Sequence, residues 1–201
     1  MYALAVNGSP RKDGNTYNML KEVLAPIEQA GWETELVQVG GKNIRGCIAC
    51  YKCFENKDKR CSVDTDIFNQ VMEKMVRADA LILGSPTYFT DVSAELKALL
   101  DRSGLVSQAN GVLFQGKIGA AVAAVRRGGA THVFDTINHM FLMSQMIVPG
   151  STYWNLGMGF DKGDVLNDAE GMRNIRHLGA VIAWLGSALA EHRQDYPSPD
   201  A

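Results

Sequence analysis

Cys47, Cys50, Cys53 and Cys61 are the only cysteines in the chain, and all four fall within fifteen residues. Two residues separate each of the first three, and seven separate Cys53 from Cys61. Thiols so spaced can converge on one centre. Four readings of the cluster are open. A structural disulfide net suits neither the crowded spacing nor the reducing compartment expected below. Zinc usually draws on two separated Cys-x-x-Cys pairs, whereas Cys-x-x-Cys-x-x-Cys is less typical of it. An iron–sulfur cube fits the triple better, because three nearby thiolates can hold three corners while a fourth closes the site. The bacterial ferredoxin run begins in the same way, but its fourth cysteine follows after three residues, precedes a proline and serves a second cluster. Here the gap is longer, no proline follows Cys61 and no cysteine remains, so one four-iron four-sulfur centre is the most the segment could hold. Lys52, Lys57, Lys59 and Arg60 would offset its negative charge, or would simply form a solvated loop. The last reading is reduced thiols, or a Cys-x-x-Cys dithiol. The spacing favours the cluster.

A second set of candidates lies in three loops. Asn7-Gly8-Ser9-Pro10-Arg11-Lys12-Asp13-Gly14-Asn15-Thr16 follows an apolar run and opens a helical pattern. Glycines permit tight turns, and the amides at a helix start attract an anion. Ser9, Asn15 and Thr16 add neutral donors, and Arg11 can pair with a phosphate. Neither the Gly-Lys-Ser/Thr ending of a nucleoside-triphosphatase loop nor Gly-x-Gly-x-x-Gly is present, so ATP hydrolysis is disfavoured. The plainer alternative is a strand-to-helix turn capped by Asn15 or Thr16. The loop from Gly84 to Ser93 carries Tyr88, Phe89 and several hydroxyls, which suit a planar heteroaromatic ligand; Ser93 could equally cap the next helix. The third loop, Arg126-Arg127-Gly128-Gly129-Ala130-Thr131, lets backbone approach a ligand, although its arginine pair taken alone reads as a solvated patch.

The elements that must position these loops alternate along the chain. Strand patterns occupy 2–7, 34–39, 80–84 and 118–125, with a last strand expected across Ile147-Val148 and Thr152-Tyr153-Trp154. Helical patterns occupy 16–29, 64–77, 94–102, 132–145 and 168–192. Strand then helix, repeated five times, predicts an open, doubly wound, five-stranded parallel sheet with helices on both faces. Ligands of such sheets bind beyond the carboxyl ends of the strands, where all three loops lie. The 201 residues fit a single domain over 1–195, with a cysteine-rich insertion at about 44–63 and a loose tail at 196–201. The net charge of −2 argues against nucleic acid as a partner. No signal peptide or membrane span is legible, and a cytoplasmic location is expected. His132, His139, His177 and His192 have no metal spacing. Met140, Met143 and Met146, with Phe141 and Leu142, read as core or subunit contact, Trp184 as core, and Trp154 as lying at a ligand edge or subunit contact.

Asn-Gly-Ser-Pro-Arg at 7–11 with Gly14-Asn15-Thr16, Ser-Pro-Thr-Tyr at 85–88 with Ser93, and Leu96-Lys97-Ala98-Leu99-Leu100-Asp101-Arg102 together resemble the NAD(P)H-dependent FMN reductase family. The cysteine segment resembles its iron–sulfur flavoprotein subgroup. The resemblance implies a flavodoxin-like fold and FMN as cofactor. It implies that Ser9, Arg11, Asn15 and Thr16 hold the FMN phosphate. It places Pro86, Thr87, Tyr88 and Phe89 beside the isoalloxazine ring, with Gly128 and Gly129 near the pyrimidine edge. It further implies a flavin-dependent oxidoreductase whose donor is NAD(P)H or a ferredoxin-type protein and whose acceptor is a quinone or another small molecule. Without a cluster, NAD(P)H would reduce FMN directly; a flavodoxin-like carrier and a zinc-stabilised binding module are the alternatives. A homodimer or homotetramer is expected, because flavin sites in the resembling family are often completed by a neighbouring subunit.

Overall fold

Tyr2–Asn7 (β1), Ala80–Pro86 (β3) and Ile118–Val125 (β4) are apolar along most of their length because both of their faces are covered. Leu4, Val6, Leu81 and Leu83 face one core layer, while Ala3, Ala5, Ile82 and Val122 face the other. The computed structural model describes residues 1–197. Among these, Glu33–Gln38 (β2) and Leu156–Met158 (β5) complete a five-stranded, all-parallel sheet in the order β2-β1-β3-β4-β5. The chain leaves β1 for β2 on one side and returns to β3 on the other, so the topology reverses between β1 and β3. A crevice opens at their carboxyl ends.

Helices cover both faces. Asn15–Gln29 (α1) and Ala169–Leu189 (α6) pack over the alanine-rich layer, and they approach closely: a Cβ on Gly179 would stand 2.2 Å from the Val23 carbonyl oxygen. Phe68–Arg77 (α3), Ala94–Ala109 (α4) and Ala130–Met143 (α5) cover the bulkier layer, and the five-residue Lys52–Asn56 (α2) lies inside the cysteine segment. The fold is the expected flavodoxin-like α/β architecture.

Several boundaries differ from the sequence reading. The last strand is not 147–154: Ile147 makes a lone bridge to Ile118, and the paired strand is Leu156–Met158. Residues 151–154 are instead held by the buried Asn174. Its Oδ1 accepts from Thr152 Oγ1 (2.8 Å) and the Tyr153 amide (2.9 Å), and its Nδ2 donates to the Trp154 carbonyl (2.9 Å). Three residues with one buried glycine leave too little alternation to mark β5. Trp184 is exposed rather than core, because the buried stripe of α6 runs through Ile175, Leu178 and Ile182 and turns Trp184 outward. Leu142 and Met143 are likewise exposed, whereas Phe141 and Met146 are buried. The α1 cap is Gly14, neither Asn15 nor Thr16, while Ser93 caps α4 as expected. Tyr196 does not begin a loose tail: its hydroxyl donates to the Gln145 carbonyl (3.1 Å) and its ring covers Gly116. The rest of the expected tail, 198–201, lies outside the described residues.

Candidate functional site

The loop after β1 is built by its own backbone and by a neighbour. The Gly8 amide donates to the Gly84 carbonyl (2.8 Å), which ties the loop to the end of β3. The Ser9 amide donates to Asn7 Oδ1 (2.9 Å), the Arg11 amide to Ser9 Oγ (3.3 Å), and the Gly14 amide to the Arg11 carbonyl (3.2 Å). Gly40, just past β2, lies against this loop so tightly that a Cβ there would stand 2.2 Å from the Ser9 carbonyl carbon. The first turn of α1 receives no side-chain cap and contains no acidic residue. Ser9 and Thr16 are buried, and the buried Asn7 Nδ2 has no partner within the protein. Uncapped amides with a nearby arginine are what an anionic group such as a phosphate requires.

A cavity of about 180 Å³ opens beside the loop. It brings together Ser9, Arg11, Asn15, Thr16, Pro86, Thr87 and Tyr88, with Ala124, Val125 and Arg126 from the end of β4 and Gly159 and Phe160 from the end of β5. Thr87 is fixed to β4, its amide (2.8 Å) and hydroxyl (3.1 Å) both donating to the Ala124 carbonyl. Tyr88 and Asp91 exchange backbone hydrogen bonds across a turn whose central residues, Phe89 (φ 34°) and Thr90 (φ 79°), are both left-handed. That turn throws Phe89 fully into solvent, and Phe89 is not among the residues that line this cavity. Gly128 and Gly129 do not line it either. Gly129, at φ +88°, turns the chain into α5 against Thr87, and no atom crowds Gly128.

The wall from 159 to 165 went unrecognised in the sequence. Asn15 holds it: its Oδ1 accepts from the Gly163 (3.0 Å) and Val165 (3.3 Å) amides, and its Nδ2 donates to the Asp161 carbonyl (3.0 Å). Arg11 Nη1 donates to the Phe160 carbonyl (3.1 Å), and the Arg126 guanidinium lies 4.8 Å over the Phe160 ring. Asn15 is thus committed to shaping the cavity, whereas Arg11 keeps further donors. The one local signal for this wall was Gly157-Met158-Gly159. A Cβ on Gly159 would meet the Val165 amide at 2.6 Å.

The four cysteines line a second, smaller cavity, together with Ser62, Val63, Arg102, Leu105 and Val106. Left-handed backbone at Ala49 (φ 51°) and Tyr51 (φ 56°) flanks Cys50 and folds the triple around that cavity. All four are free thiols, and among the described residues no three His, Cys, Asp or Glu side chains form a group that could hold a metal ion. Around a single zinc ion, thiolates at about 2.3 Å would have to crowd together. Four thiols round one cavity match the donor set of an iron–sulfur cube, while the cavity itself, about 20 Å³, has room for about one water molecule. A hydrogen bond with the Ser62 hydroxyl (3.3 Å) pulls the Cys50 thiol below its ordinary value, while burial pushes the Cys53 thiol up. Behind the cavity is a pair that the sequence reading did not identify. The side chains of Arg102 and Asp66, each 1% exposed, meet at 2.6 Å. Burial works against ionising Asp66, but the Arg102 guanidinium and the Arg45 and Phe68 amides outweigh it and hold the carboxyl below its ordinary value.

An all-parallel sheet with an anion-ready loop at its β1/β3 reversal defines a flavodoxin-like α/β protein. Residues 1–161 match the family described as NADPH-dependent FMN reductase, and the chain belongs to that family. An iron–sulfur flavoprotein of Methanocaldococcus jannaschii is 38% identical over 190 residues, covering 91% of this chain and 96% of that protein. An iron–sulfur flavoprotein of Methanosarcina thermophila is 31% identical over 195 residues, covering 96% and 99% respectively. A WrbA-like flavodoxin of Agrobacterium tumefaciens shares the fold at a TM-score of 0.65 and 16% identity, over 93% of this chain and 98% of that one.

Proposed function

We propose that the protein is an FMN-dependent oxidoreductase in which a single four-iron four-sulfur cluster on Cys47, Cys50, Cys53 and Cys61 exchanges electrons with the flavin. The observation that carries the reading is the presence of two cavities, one shaped by an anion-ready loop at the carboxyl edge of the sheet and the other lined by all four thiols. The names of the relatives at 38% and 31% identity support it. When bound, FMN supplies hydride and single-electron chemistry and the cluster single-electron chemistry; the chain orients these groups and sets their electrostatics.

On this reading the α1 amides, Ser9, Thr16 and Arg11 take the phosphate, and Asn15 holds the wall that confines it. Pro86, Thr87 and Tyr88 border the ring system from one side. Phe160, kept in place by Arg11 and Arg126, borders it from another. Arg126 puts positive charge where a reduced ring would gain negative charge. Gly128 and Gly129 shape the start of α5 beside Thr87. The electron donor is a ferredoxin-type protein or NAD(P)H, and the acceptor is a quinone or another small oxidant. Exposed Tyr153, Trp154, Met158 and Phe160 near this edge support a homodimer or homotetramer that covers them. The site of action is the cytoplasm, where thiol ligands stay reduced.

Anaerobic purification followed by absorbance spectra and assays of iron, acid-labile sulfide and flavin tests the proposal. One FMN and about four iron and four sulfide per chain are expected. Flavin without iron or sulfide would leave an NAD(P)H-dependent reductase, the second reading that the family description favours. No flavin even after reconstitution with FMN would remove both.

A further inference from the structure

Arg102 heads the largest fully buried side chains of the described residues. A buried guanidinium is costly unless its charge and donors are met. Its Nη1 donates to Asp66 Oδ2 (2.6 Å) and to the Arg45 carbonyl (3.1 Å), its Nη2 donates to the Val63 carbonyl (2.6 Å), and its guanidinium lies 4.0 Å over the Phe68 ring. Arg45 stands two residues before Cys47 and Val63 two residues after Cys61. One side chain from α4 therefore joins both ends of the cysteine segment. Arg102 also lines the four-thiol cavity, which its counter-ion Asp66 does not. One donor is left over: Nε is buried and finds no partner in the protein.

We propose that Arg102 is the positioning residue of the four-thiol centre, clasping both ends of residues 45–63 and presenting a fixed positive charge to an anionic iron–sulfur cluster. This rests on the cluster reading above. The unpartnered Nε–H is available to a sulfur acceptor, and hydrogen bonds and nearby charge are the means by which a protein tunes such a centre. A cube with four thiolates is an anion, and one electron taken from an external reductant makes it more negative without breaking a protein bond. A cation at the cavity wall stabilises the reduced state more than the oxidised one, and so raises the midpoint potential. The low local dielectric enlarges the effect. Asp66, on the far side of the guanidinium, opposes it.

The charge and the clasp separate by substitution. Arg102→Gln removes the cation and leaves buried Asp66 behind, so the midpoint falls. Asp66→Asn leaves the cation uncompensated, so the midpoint rises. Arg102→Lys keeps the charge but lacks the fork that reaches two carbonyls and a carboxylate; its midpoint stays near wild type while its cluster is lost several-fold faster to a ferrous chelator. The full chain and these variants are reconstituted anaerobically with ferrous iron and sulfide. Iron and labile sulfide are then counted, the midpoint is read by redox titration of the cluster's paramagnetic reduced state, and release is timed against the chelator. Should Arg102→Gln fail to fold, the rise in Asp66→Asn and the split behaviour of Arg102→Lys still decide the matter. Cluster-bearing variants with wild-type midpoints and retention would overturn the assignment to Arg102 alone. A wild-type chain holding no iron or sulfide would overturn the cluster reading itself, before any variant is compared.

Discussion

Arg11 and Asn15 lie four residues apart in one loop, yet their side chains have different commitments. Asn15 has its carbonyl occupied by two amides and donates to Asp161, so it acts through the wall at 159–165. Arg11 spends one donor on the Phe160 carbonyl and has others free for a phosphate. A hydrogen bond to a charged group contributes about 1.5–3 kcal/mol, so Arg11→Ala should weaken FMN binding roughly 10- to 150-fold. Riboflavin, which lacks the phosphate, should lose much less, and fluorescence titration with both ligands checks this. Equal losses for the two would mean that Arg11 serves only the wall. Asp66 allows a pH prediction at the same scale. Its carboxyl ionises more readily in the folded chain than in the unfolded one, so its stabilisation is complete above the unfolded value of about 3.9. It fades as the pH falls through the lower folded value. Breaking a buried pair costs about 3–5 kcal/mol. The gap in urea stability between wild type and Asp66→Asn should therefore be full at pH 7 and shrink below about pH 4. A gap of the same size at pH 3 and pH 7 would remove the ionised carboxylate from the account.

Between elements, the decisive contact is the one that seats the end of β2 under the loop after β1. Gly40 has no room for a methyl group, because the Ser9 backbone stands 2.2 Å and the Gly8 carbonyl oxygen 2.4 Å from where it would go. Backbone cannot swing aside as a flexible side chain does, so Gly40→Ala must displace the anion loop, at a cost of about 1–3 kcal/mol in stability. FMN affinity should fall at least tenfold. Gly31 is the control: its φ is +83° with nothing within 4 Å, so Gly31→Ala strains only the backbone and should leave FMN affinity unchanged. Comparable affinity losses in the two variants would argue against Gly40 as the seat. This contact also marks where legibility in the sequence stopped. The anion loop and the aromatic loop were readable because each follows a strand that is apolar along most of its length, and the buried strands were readable for the same reason. Gly40 and the wall at 159–165 were not, since their roles depend on residues from distant elements meeting at the sheet edge. Arg102 is legible as part of a helical run, but nothing local distinguishes an arginine buried against Asp66 from a solvated one. Phe89 is a different case: two left-handed residues turn it outward into solvent, and no local sequence pattern announces that turn.

At the scale of the molecule, the two sites share no lining residue and rest on different supports. The FMN-type cavity is framed by the ends of β1, β3 and β4, which belong to the doubly covered core, and by the end of the edge strand β5. The cysteine segment has few buried anchors: Cys53 is buried, Ile44 and Cys61 pack against the core, and Arg102 holds its ends. Stability should therefore divide unequally between them. A ligand present at about 100 times its Kd stabilises the folded state by about 2.7 kcal/mol. In a chain of this size 1 kcal/mol shifts Tm by about 2–4 °C, so FMN should raise the melting temperature by roughly 5–11 °C. Removing iron under anaerobic conditions with a chelator should leave that shift nearly intact, because no thiol lines the FMN-type cavity. Iron loss should instead appear within the segment, as faster tryptic cleavage after Lys57, Lys59 or Arg60. Melting curves with and without FMN, each on iron-loaded and iron-stripped protein, measure both effects in one experiment. If stripping iron abolished the FMN-dependent shift, the two sites would form one cooperative unit and the separation of supports would be wrong. If the shift persists while the segment opens, the sheet carries the flavin site independently and the cysteine segment depends on its own metal for order.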